Sequence, residues 1–238
     1  VTKAPRSRRR HRLVLPFLLL GLLYLITGVA HAVEEPDLDE PGTLAPGGTG
    51  PHGSARLAEL LTARGVTVRR VTSSTEAVDA VRTAGGPTSV FVPAPDLLTP
   101  RFLATVRRDF ASHRVVLLRP GMASAARVHL GTGPTRWATR MVAPGCATDF
   151  ARNAGPAAVS RSSYRPFAED AEIECYQGGV VGIDIGGAQI IAVGATDPFR
   201  NDRIDEAGNA ALATGLLGRD SVLIWVDVHR AEPREPAR

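Results

Sequence analysis

The longest apolar run of the chain, residues 13–33, reads LVLPFLLLGLLYLITGVAHAV and holds no acid, lysine or arginine. At about 1.5 Å rise per residue, a helix of that length spans roughly the 30 Å hydrocarbon core of a bilayer. The pattern then lapses. Residues 34–53 are acidic and then rich in Pro and Gly (PGTLAPGGTGPHG) with no hydrophobic period, which predicts a linker. From Ser54 helical periods alternate with short apolar runs. Ser54 with Leu57, Leu60 and Leu61 predicts a helix to Arg64, stopped at Gly65, and VTVRRV (66–71) predicts a strand. Ser73 and Glu76 have the spacing of a capping box ahead of Ala77, Val78 and Val81, a second helix ending at Gly85. SVFV (89–92) predicts a buried strand, Thr99-Pro100 opens a helix through Leu103, Val106 and Phe110, and RVVLL (114–118) predicts a third strand.

Strands separated by helices of this length need crossover connections, so the pattern predicts a parallel sheet with helices on both faces. Residues 121–176 are less periodic: MASAARVHL (122–130) predicts a short helix, and the remainder reads as loop. Order returns with VVGIDIGG-AQIIAVGA, two apolar runs around Gly186-Gly187 that predict a hairpin. A helix from about Asp205 to Leu217 and a last buried strand, SVLIWVDV (221–228), follow. The predicted organisation is a basic tail (1–12), a transmembrane helix (13–33), a linker (34–53), an α/β domain (54–230) and a polar tail (231–238).

Charge changes the picture only once it is located. The formal net charge is +4, but Lys3, Arg6, Arg8, Arg9, Arg10 and Arg12 all precede the apolar run, and without them 22 cations face 24 acids. A basic tail beside an apolar segment is a topology signal, which places the N-terminus in the cytoplasm and the domain outside. Ala30-His31-Ala32 also fits the cleavage pattern of a signal peptide. The apolar core is long for one, which favours retention, and both readings export the domain. The expected location is therefore a bacterial cell membrane, crossed once.

Two cysteines, Cys146 and Cys175, flank the irregular segment. An even count in an oxidising compartment favours a disulfide, the alternatives being a nucleophilic thiol or a pair of metal ligands. No His falls in an H-x-H or H-E-x-x-H pattern, and no G-x-S-x-G, P-loop or dinucleotide fingerprint occurs, so neither metal nor cofactor is expected. Trp137, Trp225 and the tyrosines do not interleave with a basic patch, which argues against nucleic acid. Doubly wound sheets bind ligands beyond the carboxyl ends of their strands. There Asp96, Asn201, Asp202 and Asn209 form a candidate polar rim for a ligand or partner, although these residue types also serve as ordinary caps and turn formers.

The chain also resembles a known family. The residues that carry the likeness are SARLAELL…RGV from Ser54, PDLLTP (95–100), the Gly145-Cys146 and Cys175-Tyr176 pair, and NDRIDEAGNAAL (201–212). Together they resemble the actinobacterial DUF4350 family, over roughly 53–228. The resemblance implies a flavodoxin-like doubly wound sheet akin to class I glutamine amidotransferases. It also implies a bacterial membrane location, and genes often beside a MoxR-type AAA ATPase, but no established activity. Members usually continue into a second membrane helix, and the present sequence runs to Arg238 without a second apolar run. Amidotransferases carry a cysteine nucleophile on the turn after a central strand. The matching turn here is Arg119-Pro120-Gly121, which offers none. The expectation is a non-catalytic binding or assembly module for other envelope proteins or a small ligand. The alternatives are an envelope hydrolase using Asp96 or Asp202, or a ligand sensor whose Cys-stapled segment moves.

Overall fold

The computed structural model describes residues 7–34, 37–167 and 171–233. The chain divides into two compact units, Val1–Pro36 and Asp37–Arg238.

In the first unit, α1 (Ser7–Glu34) contains the apolar run. Side chains are described for residues 14–28, and the large apolar ones among them stand exposed. Among the described residues no helix is long and apolar enough to cross a membrane. The basic tail's first six residues lie outside the described part.

In the second unit, α2 (Ala55–Ala63), β1 (Thr67–Val71), α3 (Ser74–Arg82), β2 (Ser89–Val92), α4 (Pro100–Asp109) and β3 (Arg114–Leu118) follow one another as the periodicity predicts. The capping box forms, with Ser73 Oγ accepting from Glu76 N–H at 3.1 Å. Glu76 reaches back to Thr72 N–H at 2.7 Å. Ser54 stands before α2, but its hydroxyl donates to Phe199 O at 2.6 Å instead of capping the helix. Next come α5 (Met122–Arg127), β4 (Leu130–Thr132), β5 (Arg140–Val142), α6 (Asp149–Ala154), β6 (Ala157–Ser160), β7 (Tyr164–Pro166) and β8 (Ile173–Cys175). The hairpin strands β9 (Val180–Ile185) and β10 (Ala188–Val193), then α7 (Asn209–Leu217) and β11 (Val222–Val226), complete the unit. Gly186 and Gly187 both have positive φ (63° and 85°), the backbone that a two-residue hairpin turn requires and glycine supplies without strain.

Seven strands form the main sheet in the order β1-β11-β2-β3-β10-β9-β8. The first five run parallel, and β9 and β8 add antiparallel at one edge. Strands β4 and β7, and β5 and β6, make two small antiparallel pairs. Apolar side chains fill both faces of the sheet. Leu57, Leu61, Leu212 and Leu216 of α2 and α7 pack with Phe91 and Trp225 on one face. Ala77, Phe102 and Val106 of α3 and α4 pack with Val90, Val115 and Ile224 on the other. This is a mixed α/β domain with a mostly parallel central sheet.

The structure differs from the pattern in the stretch after residue 130 that reads as loop, which holds β4–β8 and α6, and in three further places. Residues 34–53 read as a linker, yet from Asp37 they belong to the domain. Leu44 is fully buried, its N–H donates to His52 O at 2.8 Å, and its carbonyl accepts from Trp225 Nε1 at 3.0 Å. Single anchors, not a periodic face, hold this segment, so hydrophobic period does not reveal it. The helix expected over 122–130 ends at Arg127, because His129 turns the chain with φ 57° and Leu130 starts β4. The helix expected from Asp205 begins at Asn209, after Ala207 takes a positive φ of 44°.

The two cysteines are joined. Cys146–Cys175 links the loop before α6 to edge strand β8, with Cα atoms 5.2 Å apart. Tyr176, beside it, is fully buried and donates its hydroxyl to Gly155 O at 3.0 Å, and burial pushes the phenol up to about 12.

Candidate binding edge at the carboxyl ends of the strands

Strand order reverses once in the parallel part of the sheet. Strands β1, β2, β3 and β10 advance across it, and then β11 returns to insert between β1 and β2. The connections from β1 and β2 lead to α3 and α4 on one face, and the chain leaves β11 between them. The crevice there lies over the ends of β11 and β2.

Three sets of groups line this edge. At the end of β11, Asp227 is buried and its Oδ2 accepts from Arg70 Nε. Its Oδ1 stands 2.8 Å from His229 Nε2, an ion-pair contact when the imidazole is protonated. The alignment is not that of a hydrogen bond, since neither atom has a hydrogen-bond partner. His229 Nδ1 lies 3.2 Å from Leu38 O. The second set is Glu232, whose Oε1 accepts from Ser74 N–H at 2.6 Å and whose Oε2 accepts from Thr99 N–H at 2.9 Å. The carboxylate thus bridges the first residues of α3 and α4, where the helix dipoles favour negative charge. Third, Asp96 sits in a single 3-10 turn, Pro95–Leu97, and accepts from Gly121 N–H through both oxygens, at 3.2 and 3.0 Å. That places it at the start of α5. The carboxyl edge therefore has its helix N-termini satisfied by the chain's own carboxylates.

Two cavities open along this edge, one of about 630 Å³ reached by Asp96, Leu103, Met122 and Glu232. The other, of about 620 Å³, is reached by Thr72, Ser73, His229 and Glu232. Residues 231 and 232 belong to the wall of both.

The remaining expected rim residues lie elsewhere, in a structural clamp. Asn201 Nδ2 donates to Gly48 O at 2.8 Å and Gly50 O at 2.7 Å, and its Oδ1 accepts from Arg56 N–H at 3.1 Å. Asp202 takes a two-pronged bond from the buried Arg200 guanidinium, at 3.0 and 2.6 Å. Asn209 is fully buried: its Oδ1 accepts from Ala158 N–H at 2.9 Å and its Nδ2 donates to Arg203 O at 2.9 Å. Gly208 before it has no room for a Cβ, which would collide with Ala154 O and Pro156 O. The Gly-Asn pair thus locks α7 against β6. Replacing Asn209 by Ala strands a buried N–H and a buried carbonyl, and the expected loss is about 2–3 kcal/mol. Urea unfolding of the purified full-length protein measures it, and an unchanged midpoint would remove the clamp role.

Sequence reasoning missed Asp227, His229, Glu232 and Asp197. Asp197, just beyond β10, is buried and accepts from Thr139 Oγ1 at 2.9 Å. Burial raises its carboxyl above the ordinary range, against the Thr139 hydroxyl and Arg200. The available signal was a D-x-H triplet at the end of a buried strand, Asp227-Val228-His229. Glu232 gave none, because it sits in a polar, Pro-containing stretch that reads as tail. After β3, the turn Arg119-Pro120-Gly121 has Arg119 at a positive φ of 45°, with its N–H donating to Val193 O at 2.8 Å. That turn carries no Cys or Ser, and both thiols of the chain are consumed in the disulfide. Among the described residues no cluster of His, Cys, Asp and Glu is arranged to hold a metal ion.

Sheet and crossovers define a mixed α/β domain with a mostly parallel central sheet. The chain belongs to the family described as domain of unknown function DUF4350, whose pattern matches residues 46–217. The match begins inside the Pro/Gly-rich segment, in keeping with the burial of Leu44. No curated protein matches the chain. Among solved structures, the exo-beta-1,4-mannosidase Op5Man5 from Opitutaceae bacterium strain TAV5 aligns with 55% of this chain at 14% identity and a TM-score of 0.37. This chain spans about a quarter of that enzyme, 25% of its length.

Proposed function

We propose that this chain is a membrane-anchored module of the bacterial cell envelope that acts by binding or assembly and not by catalysis. The observation that carries the reading is the state of the carboxyl edge. Asp96 and Glu232 each hold backbone N–H groups, and Asp227 accepts from Arg70 through Oδ2. Asp202, the other acid of the hydrolase alternative, is held by Arg200. Groups so engaged build a shaped surface more readily than a reacting centre.

A flavodoxin-like sheet is part of this reading. Counting the parallel strands from β11, then β1, β2, β3 and β10, turns the observed order into 2-1-3-4-5, the flavodoxin sequence of strands, circularly permuted. Anchoring is supported by the exposed apolar side chains of residues 14–26 and by Thr27, whose hydroxyl is spent on Leu23 O at 2.9 Å inside the helix. The disulfide supports an oxidising compartment. The partner class is an envelope protein, including one that works with a MoxR-type ATPase.

Lys3 is the only lysine, so amine-directed crosslinkers would leave the domain untouched. A photoreactive phenylalanine at Met122, an exposed position on the edge, avoids this. Illumination of intact cells is expected to give one discrete adduct from position 122 and none from the exposed control Glu59 on α2. Protease added outside intact cells is expected to digest the domain. A folded protein that yields no adduct, or one protected until the membrane is opened, would end this reading.

A further inference from the structure

The segment after β11 does more than close the chain around the sheet. It passes from His229 over the crevice at the reversal point, and Glu232 N–H donates to Leu97 O at 2.8 Å. That bond turns the Glu232 side chain down between α3 and α4, onto the amides of Ser74 and Thr99. We propose that residues 229–233 are an intramolecular strap over a binding crevice for an anionic group, a carboxylate or a phosphate. The Glu232 carboxylate occupies the place of that group until the ligand displaces it.

Four observations converge on this. First, α3 and α4 have nine and ten residues, long enough for their aligned peptide dipoles to favour an anion at their start. Second, the site already holds an anion: two separate N–H donors from two helices meet the two oxygens of one carboxylate. Thr99 is the residue immediately before α4, and its backbone N–H is the donor there. Third, the strap divides the space. Cavities of about 630 Å³ and about 620 Å³ lie on its two sides with Glu232 in the shared wall. Each alone has the size of a small-molecule site, and lifting the strap joins them. Fourth, this is the point where strand order reverses, the place at which open α/β sheets take ligands.

Among the described residues, the strap's attachments are one backbone bond at Glu232, the two bonds of its carboxylate, and the His229 contacts at 2.8 and 3.2 Å. A tethered carboxylate competes at a high effective concentration, so an external anion binds the intact protein weakly and gains affinity when the tether is removed. The proposal deepens the binding-module reading and rests on it for its role. Its test, however, needs no partner, so a failed photocrosslink and a failed anion titration are separate results.

Calorimetry on the purified full-length protein in detergent, with inorganic phosphate and glutarate as separate probes, tests it. Glu232→Ala is expected to bind one of the probes at least about tenfold more tightly than wild type. Which probe gains identifies the group as phosphate or carboxylate. The near-isosteric Glu232→Gln keeps an oxygen acceptor and holds the strap without the charge, so it preserves the fold if the alanine variant does not. Its affinity is expected between the two. Adding Ser74→Pro removes one donor at a position where proline suits a helix's first turn. Ser73 before it is already extended, at φ −151° and ψ 160°. This second change is expected to abolish the gain. Equal binding by wild type and both Glu232 variants, no binding of either probe to a folded Glu232→Gln, or a gain that survives Ser74→Pro would overturn the proposal.

Discussion

Trp225→Ala is expected to lower the unfolding free energy by about 3–5 kcal/mol, the range for deleting a large aromatic from a packed core. Trp225 is fully buried near the end of β11, the strand inserted between β1 and β2. Its ring meets Phe91 edge-on with centroids 4.9 Å apart, and Phe91 stacks on Phe199 at 5.0 Å. Truncation therefore opens a cavity beneath three elements at once. The indole N–H also donates to Leu44 O, which fixes residues 37–53 to the sheet. Trp225→Phe separates these roles, since it keeps most of the packing and loses the hydrogen bond, for an expected cost of about 1–2 kcal/mol. Urea unfolding followed by circular dichroism gives the stabilities. Hydrogen exchange is expected to show the amides of Leu44 and Ser54 losing protection in both variants. A Trp225→Phe protein with wild-type stability and full protection there would show that Leu44 is held by other means.

Loss of the disulfide is the second large effect. The bridge closes a loop with a sequence separation of 29. A loop of about thirty residues contributes roughly 3–4 kcal/mol through restriction of the unfolded chain. The enclosed segment needs that help. Its elements α6, β6 and β7 have only three to six residues each, and β6 pairs with β5, which lies before the loop, through an irregular register. A Cys146→Ala/Cys175→Ala protein is expected to unfold at a correspondingly lower urea concentration, and reduced wild type is expected to match it. Alanine is the appropriate replacement because Cys175 is buried, and a serine hydroxyl there would need a partner. An unchanged urea midpoint after verified reduction would mean that the segment holds its shape without the bridge.

The parallel part of the domain was legible in the sequence because most of its strands are short, largely apolar runs between helical periods, with edge strand β1 carrying Arg69 and Arg70 as the exception. SVFV, RVVLL and the hairpin around Gly186-Gly187 lie where the pattern puts them. Between residues 121 and 176 the same rules fail for a physical reason. Strand β6 is Ala157-Ala158-Val159-Ser160, fully buried but built largely of small residues with little strand preference. Its position is set by the Asn209 side chain on Ala158 N–H, from 51 residues away. The candidate rim was only partly legible. Asp96 does stand at a strand end, but Asn201 and Asn209 are spent holding loops, the ordinary use of these residue types. Glu232 became visible only when folding brought it to two helix starts that lie 25 residues apart in the chain, at Ser74 and Thr99.

The two ends of the main sheet bear on how copies of this domain meet one another. One edge is β1, which carries Arg69 and Arg70, the latter paired with Asp227. The other is β8, three residues long, with Glu174 exposed and Cys175 tied to a neighbouring loop. Charge on one rim and a short, stapled strand on the other leave little flat backbone for an incoming strand to extend. Both features work against strand addition between copies of the domain.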